Sequence, residues 1–167
     1  MSAPPPDKGT ISIHFVQEAL EGVIQRGFDA ADLLNRAGIS PELLNAPQAR
    51  VSSAHFGALW HLVAQTLDDE FFGMDSHPMR VGSFTLLCHA LIHCETLEQA
   101  LRRALRFLRL VLDDMAGTLQ RDGDQARLVI ADRTAAPRRA FAYGTYLIIL
   151  HGLACWLVGR RIPLQEE

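Results

Sequence analysis

Apolar and polar residues between Arg80 and Leu112 follow two helical periods separated by a single corner. After the corner, Leu97, Ala100, Leu101, Ala104, Leu105, Leu108, Val111 and Leu112 recur at i, i+3, i+4 and i+7 spacing, which is one face of a helix. Arg102, Arg106 and Arg109 line the opposite face, with Arg103 at its edge. Thr96 and Gln99 read as a capping box, in which Thr96 takes the Gln99 N–H and Gln99 reaches back to the N–H of Thr96. Before the corner, Phe84 to Cys94 is polar only along Thr85, His89 and His93. A helix that apolar is expected to be buried nearly all round, with the capped helix packed on it.

Upstream, Ile13, Phe15, Val16, Ala19, Leu20, Val23 and Ile24 keep helical period as far as Gly27. Asp29 caps a short helix through Leu33 and Leu34, which Gly38 stops, and Ser40-Pro41-Glu42 combines a cap, a first-turn proline and a first-turn acid. Ser53 is the expected cap of the next helix, whose Phe56, Leu59, Trp60, Val63 and Leu67 point inward. These short helices could be mistaken for a helix-turn-helix DNA reader. The second offers only Asn35 and Arg36 as base or phosphate ligands, too few for a recognition helix.

Downstream of Leu112 the period changes to two. Thr118 to Arg121 and Gln125 to Ala131 form a β-hairpin around Asp122-Gly123, a type I′ signal, with Ala126, Leu128 and Ile130 on one side. Ala140 to Gly159 then carries no charged residue. That length suffices for a bilayer span. Gly144, Thr145, His151 and Gly152 in mid-segment, and arginine pairs at both ends, favour a central buried helix of a soluble domain instead. The fold class is therefore α+β and predominantly helical: a helical N-terminal subdomain, a two-helix core with one long apolar helix, and a β-hairpin.

The order of these motifs carries a resemblance. Gly82, an apolar helix, Thr96-Leu97-x-x-Ala100-Leu101 and a Leu/Arg-rich helix follow Ala37-Gly38-Ile39, Pro47, Arg50-Val51, Phe56 and Leu59-Trp60. From about residue 11 to about 163 the chain resembles the N-terminal effector-sensing domain of AraC-type transcription regulators. The branch is that of ornithine-utilisation and virulence regulators, not the arabinose-binding cupin. The resemblance implies a small-molecule effector, homo-oligomerisation, and DNA binding only through a C-terminal helix-turn-helix domain that this sequence does not contain. It also implies further strands and helices of the sensing domain. Residues 1–10 thus read as a disordered tail and 11–164 as a sensing domain truncated at its C-terminal end, with Ile162 to Leu164 opening a further strand.

Composition changes this picture little. At 167 residues the chain can bury a core of its own. Charged residues are 21% and the net charge is −3, so nothing pulls it globally toward nucleic acid or anionic lipid. Three cysteines make no disulfide framework, and Met1 to Thr10 lacks the apolar stretch of a secretory signal, so a reducing cytoplasm is expected.

Candidate chemistry is sparse. His89 and His93, four apart, are a weak metal pair that needs a third ligand from His61, His77 or His151. No cofactor is expected, and no haem-binding feature accompanies His151. No nucleophile elbow, phosphate loop or HExxH is present, so no enzyme is expected. The effector site is expected along the long apolar helix. Tyr143, His151 and Trp156 there combine an apolar body with a polar tip, Gly144 and Gly152 leave room, and Trp60 and Phe84 form the opposite wall. His151 needs a hydrogen-bond partner: Tyr143, Tyr146 or a backbone carbonyl. The alternative function is a ligand-free dimerisation module using the arginine helix and apolar surface.

Overall fold

The computed structural model describes residues 9–135 and 138–164, and the chain forms two compact units that meet in sequence between Gly73 and Met74. The expected tail lies outside the described residues up to residue 8, and Thr10 is already in a strand.

The first unit opens with β1 (Thr10–Ser12), which pairs antiparallel with β2 (Arg50–Ser52), Ile11 opposite Val51. Three-residue strands leave no sequence period to read, and this pair is absent from the sequence expectation. Arg50 reinforces it by donating to the Thr10 hydroxyl and carbonyl, both at 2.7 Å. Helix α1 (Ile13–Gln25) buries Ile13, Val16, Ala19, Leu20 and Val23, as its spacing predicts, although Phe15 and Ile24 stay exposed. Asp29 caps α2 (Ala30–Arg36) by accepting the Ala31 and Asp32 amides. Residues Pro41–Asn45 form one 3-10 turn. Helix α3 (Ser53–Leu67) is capped by Ser52, not Ser53: the Ser52 hydroxyl accepts the His55 amide. Leu59, Val63 and Leu67 are buried, while Phe56 and Trp60 are only half-buried.

The second unit contains α4 (Ser83–Leu91), α5 (Leu97–Val111), β3 (Met115–Asp122), β4 (Gln125–Asp132) and α6 (Ala140–Val158). Thr96 caps α5 as predicted, accepting the Gln99 amide at 3.1 Å. The return limb differs, because Gln99 Oε1 accepts the N–H of Glu95 and not that of Thr96. The hairpin is longer than expected, with Asp122 closing it opposite Gln125. The turn centre is therefore Gly123-Asp124, one residue later than predicted. Gly123 has φ +61, and among the described residues only Asp68 and Phe72 are non-glycines with positive φ. That is the φ pattern of a type II′ turn, which needs glycine first. β3 lies against α5, and Gly117 allows the approach. A Cβ there would stand 2.5 Å from Leu105 Cδ2 and 2.8 Å from the Tyr146 hydroxyl.

Two expectations of burial fail. Helix α4 buries Leu87 and Leu91 and leaves Leu86 and Ile92 exposed, so it is not enclosed all round. Helix α6 has the predicted span, and Gly159 caps it in left-handed conformation. It is long and apolar enough to cross a membrane by length and composition, and among the described residues less than half of it is buried. Phe141, Ala142, Thr145, Tyr146, Leu150, Leu153 and Ala154 pack inward, while Leu147, Ile148, Trp156 and Val158 face out. A helix apolar all round gives no directional signal, so the sequence could not say which side is covered.

Candidate functional site

Helix α6 is joined to the end of α5 by a buried polar clasp. The Asp75 carboxylate accepts the amides of His77, Asp113 and Asp114. Asp114 returns the favour to the opposite strand of chain by accepting the Ser76 amide at 2.7 Å and the Ser76 hydroxyl at 2.8 Å. Arg138, immediately before α6, places Nη2 2.7 Å from Asp114 Oδ2 and donates from Nη1 to the Met74 carbonyl. Burial opposes the charge on Asp114, but the Ser76 donors and the Arg138 guanidinium outweigh it and hold the carboxyl below its ordinary value. Asp132, at the end of β4, lies 3.7 Å from Arg138 Nε and accepts the Tyr143 hydroxyl at 2.5 Å. The hydrogen bond to Asp132 raises the Tyr143 phenol, because the bond is lost when the phenol ionises. Sequence reading missed this clasp. Its acids sit where a helix and a loop end, and nothing in their spacing brings residues 75, 114 and 138 together.

Along α6 the predicted polar tips have different fates. Tyr143 is tied to Asp132 at the helix start. His151 finds a backbone carbonyl, one of its expected partners: Nε2 lies 2.8 Å from the Ile162 oxygen. Cys155, four residues on, joins it, with Sγ 3.5 Å from the same Nε2 and accepting the Ile162 amide at 3.3 Å. Helical i, i+4 spacing was the available signal for that pair. The expected strand at Ile162 to Leu164 is instead irregular chain held on α6 by these contacts. His151, Arg161, Ile162, Pro163 and Leu164 line an open cleft of about 450 Å³. Trp156 is 55% exposed on the outer face. Among the described residues nothing lies within 4 Å of where a Cβ would stand at Gly144 or Gly152, so no described helix approaches them closely.

The other candidates belong to other elements. Phe84 is at the exposed start of α4. Trp60 belongs to the first unit, edge-on to Phe56 at 5.5 Å and to Phe72 at 4.7 Å. His89 is exposed on α4, and His93 falls beyond the helix end, which removes the i, i+4 geometry a shared metal needs. Among the described residues no three His, Cys, Asp or Glu side chains are grouped to hold a metal. The arginine face of α5 is exposed, and it is partly internally paired: Arg102 bonds Glu98 at 2.9 Å and Arg103 donates to the Ala90 carbonyl. The Arg102 hydrogen bond, with Arg121 adding to it, lowers the Glu98 carboxyl.

Residues 27–166 match the family model described as the arabinose-binding domain of AraC transcription regulator, N-terminal. The chain is also similar to the ornithine utilization regulator of Pseudomonas aeruginosa, 24% identical over 160 residues. That alignment covers 93% of this chain and 46% of the relative, so the chain spans about half the length of the curated relative it matches. No solved structure matches it. The family match takes in most of both compact units, from α2 to the end of α6 and beyond, and with it the order of motifs read from the sequence. The chain belongs to the family of N-terminal ligand-sensing domains of AraC transcription regulators.

Proposed function

We propose that this domain senses a small-molecule effector, dimerises, and controls a DNA-binding domain carried elsewhere in the regulator, in the cytoplasm. One observation carries the reading: α6 is apolar nearly all round, yet among the described residues much of its apolar surface is exposed. The exposed surface of α6 combines apolar bodies at Leu147 and Ile148, and at Trp156 further round the helix, with the polar tips of Tyr143 and His151. Such a mixture suits a ligand that joins an aliphatic stem to polar head groups. Tyr143, His151 and Trp156 are the proposed contacts on α6. The effector acts by binding one arrangement of the regulator better than another, since equal affinity for both shifts nothing. The relative's name makes ornithine, or a compound related to it, the first effector to try.

A second reading draws on the same exposed residues. Exposed Leu147, Ile148, Trp156 and Val158 suit a dimerisation module that needs no ligand. Native mass spectrometry of protein purified from cells separates the two. A bound small molecule that leaves on mild activation supports sensing. A ligand-free dimer, unchanged by added ornithine, supports the module and overturns the sensing assignment.

A further inference from the structure

The two edges of the β3–β4 hairpin meet different surroundings. On β3 the Gly117 amide donates to the Tyr146 hydroxyl at 3.0 Å, and the Leu119 carbonyl accepts from Arg102 at 3.3 Å. Both groups therefore point away from β4. Residues that face each other in an antiparallel ladder share this character. Ile130, opposite Gly117, and Leu128, opposite Leu119, thus turn their amides and carbonyls away from β3. Ala126 follows by alternation. Among the described residues no hydrogen bond from outside the hairpin reaches Ala126, Leu128 or Ile130. The β4 edge also lacks what usually blunts a free edge. Gln125–Asp132 contains no proline or lysine, and its pairing runs without a bulge. Leu128, Val129 and Ile130 are only half-buried.

We propose that this edge is the seam of a homodimer, in which β4 pairs antiparallel with β4 of a second copy about a two-fold axis. The two hairpins then form one four-stranded sheet. The side chains present select both the occupant and the register. A two-fold axis normal to the sheet sets one outward residue opposite itself. Centring on Leu128 sets Ala126 opposite the partner's Ile130, so each outward amide meets an outward carbonyl and a small side chain meets a large one. On the other sheet face Arg127 lies opposite the partner's Val129. Asp132 falls opposite the partner's Asp124 only at the turn, and its charge is already met by Tyr143 and Arg138. Centring on Ile130 instead sets Arg127 opposite the partner's Arg133, which like charge disfavours. An unrelated strand would satisfy the same amides, but the match of Ala126 with Ile130 and the separation of the arginines favour a second copy. The inference rests on the dimer of the proposed function and locates it, leaving the exposed apolar surface of α6 for the effector. Its test uses effector-free protein and reads pairing alone, so its failure and that of the sensing assignment are separate.

Sedimentation velocity over a concentration series gives the dimer dissociation constant, and amide hydrogen exchange followed by NMR reads the seam. Wild type is expected to dimerise, with slow exchange at Ala126, Leu128 and Ile130 that speeds up on dilution. Val129→Glu and Val129→Lys remove the same half-buried side chain and differ in the charge set opposite Arg127 of the partner subunit. The glutamate variant is expected to dimerise about tenfold more tightly than the lysine variant, because the two-fold makes this contact twice. Leu128→Cys is expected to cross-link copy to copy on mild oxidation, while Ala131→Cys, away from the axis, does not. Peptide mass spectrometry separates that bond from any made by Cys88, Cys94 or Cys155. A chain that stays monomeric at high concentration overturns the proposal. A dimer whose β4 edge amides exchange freely, a Leu128→Cys variant that fails to cross-link, or equal dissociation constants for the two Val129 variants overturns it as well, since the seam then lies elsewhere.

Discussion

Helices α5 and α6 are neighbours in one unit, and each has one side turned to solvent, but they meet it differently. The outward side of α5 carries Arg102, Arg103, Arg106 and Arg109, and its inward side carries Ala100, Ala104, Leu105 and Leu108. Its sequence pattern and its surroundings agree. The large exposed residues of α6 are Leu147, Ile148, Trp156 and Val158. There the pattern and the surroundings disagree, since a helix apolar all round is normally enclosed. Agreement across levels marks a helix whose environment is complete within the chain, and disagreement concentrates where function lies. The comparison therefore separates a helix whose exposed surface is polar from one whose exposed surface is apolar.

The clasp between the end of α5 and the start of α6 is the strongest place to break the comparison. Asp114→Ala leaves Arg138 buried without its carboxylate and orphans the Ser76 amide. A loss of about 3 kcal/mol is expected, the low end for breaking a buried pair because Asp132 is 3.7 Å from Arg138 Nε. A chemical-denaturation midpoint within error of wild type would show that the two helices do not depend on this joint. The same group sets a pH dependence. The Asp114 carboxyl is depressed in the fold, so its contribution is full above its unfolded value and disappears as pH falls through the folded one. Wild type should therefore lose stability on acidification more steeply than Asp114→Ala, measured as denaturation midpoints across the acidic range.

Gly117 tests the contact that α5 and α6 share. Gly117→Val pushes a branched side chain toward Leu105 of α5 and the Tyr146 hydroxyl of α6, which accepts the Gly117 amide at 3.0 Å. Leu105 Cδ2 is a flexible end and can yield, while the tyrosine ring is buried and held. The expected cost is about 2 kcal/mol of overpacking. Thermal unfolding unchanged by this substitution would mean that β3 does not lie as close to the helices as the geometry has it.

How far the sequence revealed this arrangement follows the same division. Helix α5 was legible in its Thr96 cap and its arginine face, which are local signals, while the return limb of the capping box reaches Glu95 instead of Thr96. Helix α6 was legible in extent, from its charge-free run and Gly159, but not in orientation, since no polar stripe marks its outside. The hairpin was legible in existence and off by one in its turn, because Asp-Gly-Asp offers two turn centres and only pairing decides between them. The β1–β2 pair left no trace, being too short to show a period. At the candidate site, His151 was found as a polar atom needing a partner. Cys155 was overlooked beside it, and the clasp of Asp75, Asp114 and Arg138 depends on chain segments brought together only by folding.

Helix α5 offers a smaller effect on the side where pattern and surroundings agree. Thr96→Ala removes the hydroxyl that accepts the Gln99 amide. It should cost about 1 kcal/mol, the usual value of an N-cap. The effect should be confined to stability, because the start of α5 is remote in role from the open face of α6. Effector response lost in step with a preserved melting temperature would contradict that division.

The smallest effect on stability carries the sharpest test of the comparison. Gly152 is exposed near the middle of α6, and nothing lies within 4 Å of where its Cβ would stand. Were the outer side of α6 packed within the chain, Gly152→Leu would overpack it and cost roughly 1–3 kcal/mol. The open space predicts otherwise. Leucine is a better helix former than glycine in a helix interior, so the variant should be as stable as wild type or more stable by up to about 1 kcal/mol. The same side chain would project into the space that an effector or a second copy occupies on this face. In the full-length regulator the expected result is a melting temperature that holds or rises together with loss of the effector response. A stability loss of the overpacking size would mean that α6 is enclosed, and the contrast with α5 would dissolve. A stable variant with an intact response would place the effector away from the Gly152 side of α6, leaving Tyr143, His151 and Trp156 without a role in binding.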